Sequence, residues 1–113
     1  MYIAMNRFRV IRGEEETFET LWKTRERHLN TVPGYLEFHL LRGPAHDDHT
    51  LYASHTVWES FEAFQAWTKS EQFRQAHARA GSTKPLYLGG PQFEGFQAVI
   101  MENRAGETVD SAA

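Results

Sequence analysis

The 113-residue sequence has no cysteine, no long apolar run and no block of basic residues. Without cysteine, disulfides, thiolate metal sites and a cysteine nucleophile are excluded. The apolar opening, residues 1–5, is too short for a signal-peptide core or a membrane span, so we expect a cytoplasmic protein that does not enter the membrane. A net charge of −3 without clustered Lys and Arg argues against a nucleic-acid partner.

Motifs for phosphate binding and nucleophilic catalysis are also absent. The chain has no glycine-rich phosphate loop, no HExxH pair and no nucleophile elbow. We therefore expect no tightly bound flavin or nucleotide, and any electrons must come from outside the protein. Aromatic side chains are abundant, at 13% of residues, and they can fill a core or line a flat apolar ligand site.

The apolar pattern predicts the order strand, helix, strand, strand, helix, strand. The predicted elements are a strand over 2–10, a helix from about Glu14, a hairpin of 35–42 and 51–58, a helix through Trp67 with Ser60 as N-cap, a helical piece over 71–80 capped by Ser70, and a last strand over 93–101. This order is that of the ferredoxin-like α+β fold. Residues 1–101 are expected to form one domain, and the polar residues 102–113 a flexible tail.

Helices of such a fold cover one face of the sheet only. The other face would carry Ile3 and Met5, and an apolar face needs a cover. The simplest cover is the same face of a second copy, so we predict a two-fold homodimer. Arg7 and Arg9 fall on that face as well, which weighs against this prediction.

Asn6 is the first candidate for a functional residue, because it interrupts a row of apolar residues that should face the helices. A buried amide without a hydrogen-bond partner costs about 1–3 kcal/mol. Two interpretations stay open: a carboxamide bonded to nearby backbone, or a fixed donor that points into a cleft between sheet and helices.

His77 and Trp67 are the next candidates, on helices that could cover Asn6. A histidine on the apolar side of a helix can ligate iron through one nitrogen, although it is more often a packed residue. If the three side chains converge, they suit a flat metallomacrocycle. Trp22 and Arg25 would then lie at the cleft mouth, where Arg25 is either a carboxylate partner or an ordinary solvated charge.

Two other groups of histidines are weaker candidates for metal binding. Counting along the hairpin places His39 opposite His55, close enough to share a cation, but no third ligand presents itself. The loop contains His46, His49 and the acidic residues 47–48, a composition that is compatible with metal binding. Polar hairpin loops commonly have such a composition without binding a metal.

Five stretches recur in the order known from one family: Met5–Val10, Pro33–Tyr35, Thr56–Ser60, Ala63–Trp67 and Phe73–His77. Together they resemble the IsdG-like haem-degrading monooxygenases of the antibiotic biosynthesis monooxygenase superfamily, particularly those of bacterial haem-utilisation systems. The resemblance runs from about residue 2 to residue 100.

This resemblance implies a homodimer that forms a dimeric α+β barrel, with one haem cleft per subunit and haem as both substrate and cofactor. His77 matches the axial iron ligand, Asn6 the residue that hydrogen-bonds the reacting oxygen, and Trp67 the ring that distorts the macrocycle. Dioxygen and an external reductase or small-molecule reductant would open the ring and release iron and a bilin-type product. Leu21 and Trp22 depart from some relatives, which makes a role for Arg25 at the haem propionates less secure.

Three alternatives from other functional classes stay open. One is a cofactor-independent monooxygenase for an aromatic polyketide, the superfamily's other chemistry, which would use Asn6 and Trp67 without an iron ligand. Another is a haem carrier or sensor that binds haem without turnover. The third is a dimerisation module with an empty cleft.

Overall fold

The structure is a computed structural model that describes residues 1–25, 28–71, 73–74 and 86–109. Its elements are β1 (Tyr2–Ile11), α1 (Glu15–Thr24), a 3-10 turn (Leu29–Thr31), β2 (Tyr35–Ala45), β3 (His49–Trp58), α2 (Phe61–Thr68), β4 (Gln92–Gln97), β5 (Met101–Glu102) and β6 (Thr108–Val109). The order β-α-β-β-α-β of the main domain is the predicted one.

The main sheet has four strands in the order β2-β3-β1-β4, and every neighbouring pair is antiparallel. This arrangement confirms the predicted ferredoxin-like α+β fold. β1 is a central strand, paired along its length with β3 on one side and over residues 2–7 with β4 on the other.

The helices begin where local chemistry favours them. The Ser60 side chain accepts a hydrogen bond from the backbone N–H of Ala63, which satisfies a donor in the first turn of α2. Ser70 caps the next helical turn in the same way, accepting from the backbone N–H of Phe73. Both predicted caps are thus confirmed, although most of the helical piece predicted over 71–80 lies outside the described residues. No described helix is long and apolar enough to cross a membrane.

The core lies between the two helices and one face of the sheet, and it is divided into two clusters. Cluster 1 packs α2 and the 3-10 turn onto one end of the sheet, with Tyr2, Ala4, Leu29, Val32 and Trp58 as its buried members. Cluster 2 packs α1 onto the other end, with Phe8, Val10, Phe18, Tyr52 and Leu86 as its buried members. Residues 2, 4, 8 and 10 of β1 share the helix-facing side because strand side chains alternate.

The opposite face of the sheet has no helix packed on it within the described ranges. We call it the open face. It carries the apolar side chains of Ile3 and Met5, as predicted, and strand pairing adds Phe96 beside Ile3. Phe96 and Leu41 are 48% and 42% exposed, so this face leaves large apolar groups in contact with water.

Two boundaries differ from the sequence prediction. The hairpin strands extend to Ala45 and from His49, because the pairing continues through a register shift beyond Arg42. In the predicted tail, Met101–Glu102 pairs with Thr108–Val109 around a turn in which the Asn103 side chain accepts hydrogen bonds from two backbone N–H groups. The flexibility of this segment and the domain boundary at residue 101 stay predictions.

The Pro33–Gly34 turn gives a test of this fold. Gly34 has φ +84°, and a Cβ built on it would lie 2.4 Å from the Cβ of Ala63 in α2. We expect Gly34→Ala to lower the free energy of unfolding by about 1–3 kcal/mol through backbone strain and steric overlap. Urea denaturation measures this change. Gly90→Ala, whose added Cβ meets nothing within 4 Å, is the control, and equal stability of the two variants would contradict the prediction.

Candidate functional site

Asn6 lies on the helix-facing side of β1, between the two core clusters. It follows Tyr2 and Ala4 of cluster 1 and precedes Phe8 and Val10 of cluster 2. Its neighbours across the sheet form one row: Leu40, Ser54, Asn6 and Phe93. Asn6 is half-buried, and its carboxamide forms no hydrogen bond with any group that the structure describes. Among the described residues no backbone group bonds the Asn6 carboxamide, and its role as a donor to a ligand stays a prediction.

The first wall beside Asn6 is formed by α1 and β2. The Trp22 ring stacks on Phe38 with 5.7 Å between ring centroids and meets the edge of Phe8 at 5.9 Å. The guanidinium of Arg25 lies 4.8 Å from the centroid of the Trp22 ring, a cation–π contact. Trp22 and Arg25 therefore lie together, and Arg25 brings a positive charge to this wall. Their place at the mouth of a cleft stays a prediction.

The second wall is formed by α2 and β4. Phe64 stacks on Phe93, the residue directly opposite Asn6, with 5.7 Å between centroids and an interplanar angle of 10°. Trp67 packs against Phe64 at 6.0 Å and against Trp58 at 5.3 Å. Trp67 thus belongs to the aromatic layer on the cluster 1 side of Asn6.

A third feature is a cavity of about 240 Å³ beside the first wall, lined by Glu19, Trp22, Lys23, Phe38, Leu40, Arg42 and Tyr52. The Tyr52 hydroxyl donates to Glu19 Oε2 at 2.5 Å, and Arg42 Nη2 donates to the same oxygen at 2.6 Å. These hydrogen bonds from Tyr52 and Arg42 lower the pKa of Glu19 below its usual range. Burial and the hydrogen bond to Glu19 raise the pKa of Tyr52, so at neutral pH the group is a carboxylate held by a phenol and a guanidinium.

The structure brings four of the five predicted site residues to one side of the sheet. Asn6 lies between a wall with Trp22 and Arg25 and an aromatic layer with Trp67. His77 lies outside the described residues, so its part in the site stays a prediction. Such an arrangement can hold a flat apolar ligand between aromatic side chains and offer it one hydrogen-bond donor and one cation.

The sequence alone did not identify the residues that form the two aromatic walls beside Asn6. Phe38 and Phe93 were not identified as site residues, although strand alternation places both on the helix-facing side. The signal that would have found Phe93 is the pairing of the first and last strands, which puts it opposite Asn6. The Glu19–Tyr52 hydrogen bond joins residues 33 apart and has no local signal.

The two histidine groups that the sequence offers as weaker metal-binding candidates lie within the described residues. His39 pairs with His55 across the hairpin, as predicted, on the open face. In the loop, the rings of His46 and His49 stack at 4.6 Å, and Asp48 accepts a hydrogen bond from His49. Within the described ranges, no group of three or more His, Cys, Asp or Glu side chains could hold a metal ion.

Comparison with known proteins identifies relatives over most of the chain. Residues 1–79 match the sequence profile of the antibiotic biosynthesis monooxygenase family. A haem oxygenase (mycobilin-producing) of Mycobacterium tuberculosis is 30% identical over 106 residues, which cover 94% of this chain and 96% of that protein.

Solved structures give the same result for the fold. MhuD, a haem-degrader from Mycobacterium tuberculosis solved with two haems bound in its active site, superimposes with a TM-score of 0.68 and 28% identity, over 91% of this chain and 100% of that one. SnoaB, a cofactor-independent oxygenase from Streptomyces nogalater, is 20% identical with a TM-score of 0.61, over 87% of this chain and 92% of that one, and shares the fold.

The Glu19 cluster generates a prediction about pH. Because the pKa of Glu19 is lowered on folding, its ionised form stabilises the fold above its usual pKa of 4.5, and this contribution is lost as the pH falls below that value. We expect Glu19→Gln to lower the melting temperature at pH 7, and the difference from wild type to shrink as the pH falls below 4.5. Thermal melts followed by circular dichroism measure this. Glu16→Gln, an exposed position on the same helix, is the control, and a Glu19→Gln difference independent of pH would contradict the assignment.

Proposed function

The chain belongs to the antibiotic biosynthesis monooxygenase family, and on that premise we propose that it is a haem-degrading monooxygenase. Haem would be both cofactor and substrate; its ring would be opened with dioxygen and external electrons, and iron and a bilin-type product would be released. The observation that carries the proposal is Asn6, a half-buried hydrogen-bond donor without a protein partner among the described residues, set between aromatic walls.

The residues of the site fit a porphyrin. The aromatic rings near Asn6, Trp22 with Phe38 and Phe64 with Phe93, would offer apolar surface to a flat ligand. Arg25 adds a cation for a ring carboxylate. A haem oxygenase relative that covers 94% of the chain supports the same ligand. His77 is the residue that we propose as the iron ligand.

Each side chain then has a separate task in the reaction. When bound, haem iron supplies the activation of dioxygen. The Asn6 amide donates a hydrogen bond toward the reacting oxygen and keeps its proton, because a carboxamide is not an acid at neutral pH. Trp67 is held by Trp58 and Phe64, so its ring would press on the bound group from a fixed position.

In this proposal, a separate electron donor supplies the electrons for the reaction. The sequence has no motif for a tightly bound flavin or nucleotide, so an external reductase or a small-molecule reductant would supply them. A cytoplasmic location, where such reductants are available, is part of the same proposal.

The proposed enzyme is a homodimer joined through the open face, with the two sheets forming the α+β barrel. Exposed Phe96 and Leu41, together with Ile3 and Met5, give this face its apolar character. Arg7 also lies on this face, and its charge would oppose burial. The charge is compensated by Glu94 of the neighbouring strand β4, whose Oε1 accepts a hydrogen bond from Arg7 Nε at 2.5 Å. Arg9 donates to the backbone oxygen of Leu88 at 3.3 Å.

Hemin titration followed by reduction in air tests the function. We expect stoichiometric binding with a Soret band, which bleaches with release of iron when ascorbate is added. Asn6→Ala should bind hemin and degrade it at least about tenfold more slowly, because loss of one positioned donor raises the barrier by about 1.4 kcal/mol or more. His77→Ala should shift or lose the Soret band.

Matched variants separate these effects from general damage. Asn30→Ala, at an exposed asparagine of the 3-10 turn, and His46→Ala, at an exposed histidine of the hairpin loop, should bind and degrade hemin like wild type. No hemin binding by the wild-type protein would refute both the enzyme and the carrier. Binding without bleaching would identify a carrier or sensor, and full activity of Asn6→Ala would remove Asn6 from the mechanism.

Light scattering tests the dimer. We expect twice the chain mass for wild type, and the mass of a single chain for Phe96→Glu, because a charge at a buried apolar contact is strongly unfavourable. Gln65→Glu, which places a charge on the exposed side of α2, should stay dimeric. A monomeric wild-type protein would refute the proposed interface.

A further inference from the structure

The cavity beside the first wall carries polar groups that the proposed haem chemistry does not use. It lies between α1 and β2 on the helix-facing side of the sheet, so the proposed dimer interface on the open face does not cover it. Its volume of about 240 Å³ is below the range of about 300–1,000 Å³ for pockets that hold drug-sized ligands. A ligand that fits it therefore has about a dozen non-hydrogen atoms, far fewer than a porphyrin, a flavin or a nicotinamide dinucleotide.

Charged side chains in the lining of this cavity favour an anionic ligand. The lining holds one carboxylate, Glu19, against two cations, Lys23 and Arg42. Glu19 is balanced by Arg42, whose Nε and Nη2 donate to Glu19 Oε2 at 2.9 and 2.6 Å. Lys23 forms no hydrogen bond or ion pair with any group that the structure describes. The cavity therefore offers an ammonium group that is available to a negatively charged oxygen.

Glu19 also offers a hydrogen-bond acceptor beside this cation. The Tyr52 hydroxyl and the Arg42 guanidinium both donate to Oε2, whereas Oε1 has no donor among the described residues. The Glu19 side chain is 20% exposed, while Arg42, at 63%, lies where the cavity meets water. A carboxylate oxygen that is held in place and has no donor is a ready acceptor for a hydroxyl group of a ligand.

The apolar part of the lining connects the cavity to the proposed haem site. Trp22 and Phe38 form the first wall beside Asn6, and Leu40 belongs to the same cross-strand row as Asn6. A molecule in the cavity would therefore contact the aromatic wall that also borders the proposed haem site. The proposed reaction needs electrons from outside the chain, so this position suits an electron donor.

We propose that this cavity binds the small-molecule reductant of the haem reaction, an organic anion with enediol hydroxyl groups. Lys23 binds its negatively charged oxygen, Glu19 Oε1 accepts a hydrogen bond from a hydroxyl group, and its ring lies on the apolar lining. The inference rests on the proposed function, because a haem enzyme is what uses the electrons. The monoanion gives one electron to the ferric iron of haem and releases the proton of its neutral enediol hydroxyl group to water, which leaves a radical anion.

Titration of the hemin-free, ¹⁵N-labelled full chain with sodium ascorbate, followed by NMR, tests binding. Under nitrogen and at constant ionic strength, we expect the Trp22 indole N–H and the Lys23 and Arg42 signals to shift first, with saturation at one ascorbate per chain. Lys23→Gln should lower the affinity at least about fivefold, because it removes one charge-assisted hydrogen bond. Lys69→Gln, at an exposed lysine after α2, is the matched control and should bind like wild type.

Steady-state kinetics of the hemin-loaded protein separate this role from a structural one. The KM for ascorbate should rise at least about fivefold in Lys23→Gln, while kcat at saturating ascorbate stays unchanged. A ferredoxin with its reductase is too large for the cavity, so turnover with that electron donor should be equal in Lys23→Gln and wild type.

Three outcomes count against the proposal. Shifts that begin outside the cavity, or equal ascorbate affinity of wild type and Lys23→Gln, would overturn it. An equal loss of turnover with both electron donors would show that Lys23 acts only through the general structure and would overturn it as well. Failure of the wild-type protein to bind hemin would refute the proposed function and with it the electron-donor role, while the hemin-free titration decides separately whether the cavity binds the anion.

Discussion

The pairing of β1 with both of its neighbours is the constraint that creates the site. A strand paired on one side only can slip, and a slip by one residue turns every side chain to the other face. β1 is held by β3 and by β4, so Asn6 cannot leave the helix-facing side without breaking both ladders. The same register places Phe93 against it and leaves Ser54 on its other side.

The core is divided into two clusters at Asn6, the polar residue between Ala4 and Phe8 of β1. α1 packs on the part of β1 that holds Phe8, and α2 packs on the part that holds Ala4. Within the described ranges, neither helix provides a side chain that forms a hydrogen bond with the Asn6 amide. An apolar residue at position 6 would allow one continuous core. A half-buried polar side chain with no described hydrogen-bond partner is typical of sites where function, rather than packing, determines the residue.

Particular residues show how far the sequence alone reaches. The alternation of β1, the Ser60 cap and the His39–His55 register depend on neighbours along one strand or one hairpin, and all three were predictable. The aromatic wall at Phe93 depends on how the first and last strands pair, which no local pattern encodes.

The two faces of the sheet place the proposed haem site and the proposed dimer interface on adjacent residues of β2. Phe38 and Leu40 face the helices, whereas His39 between them faces the opposite side. Because strand side chains alternate, a change at His39 alters the open face without moving the wall that Phe38 forms with Trp22. Alternation along β2 therefore places the aromatic side chains of the proposed haem site and the residues of the open face on opposite sides of the same strand.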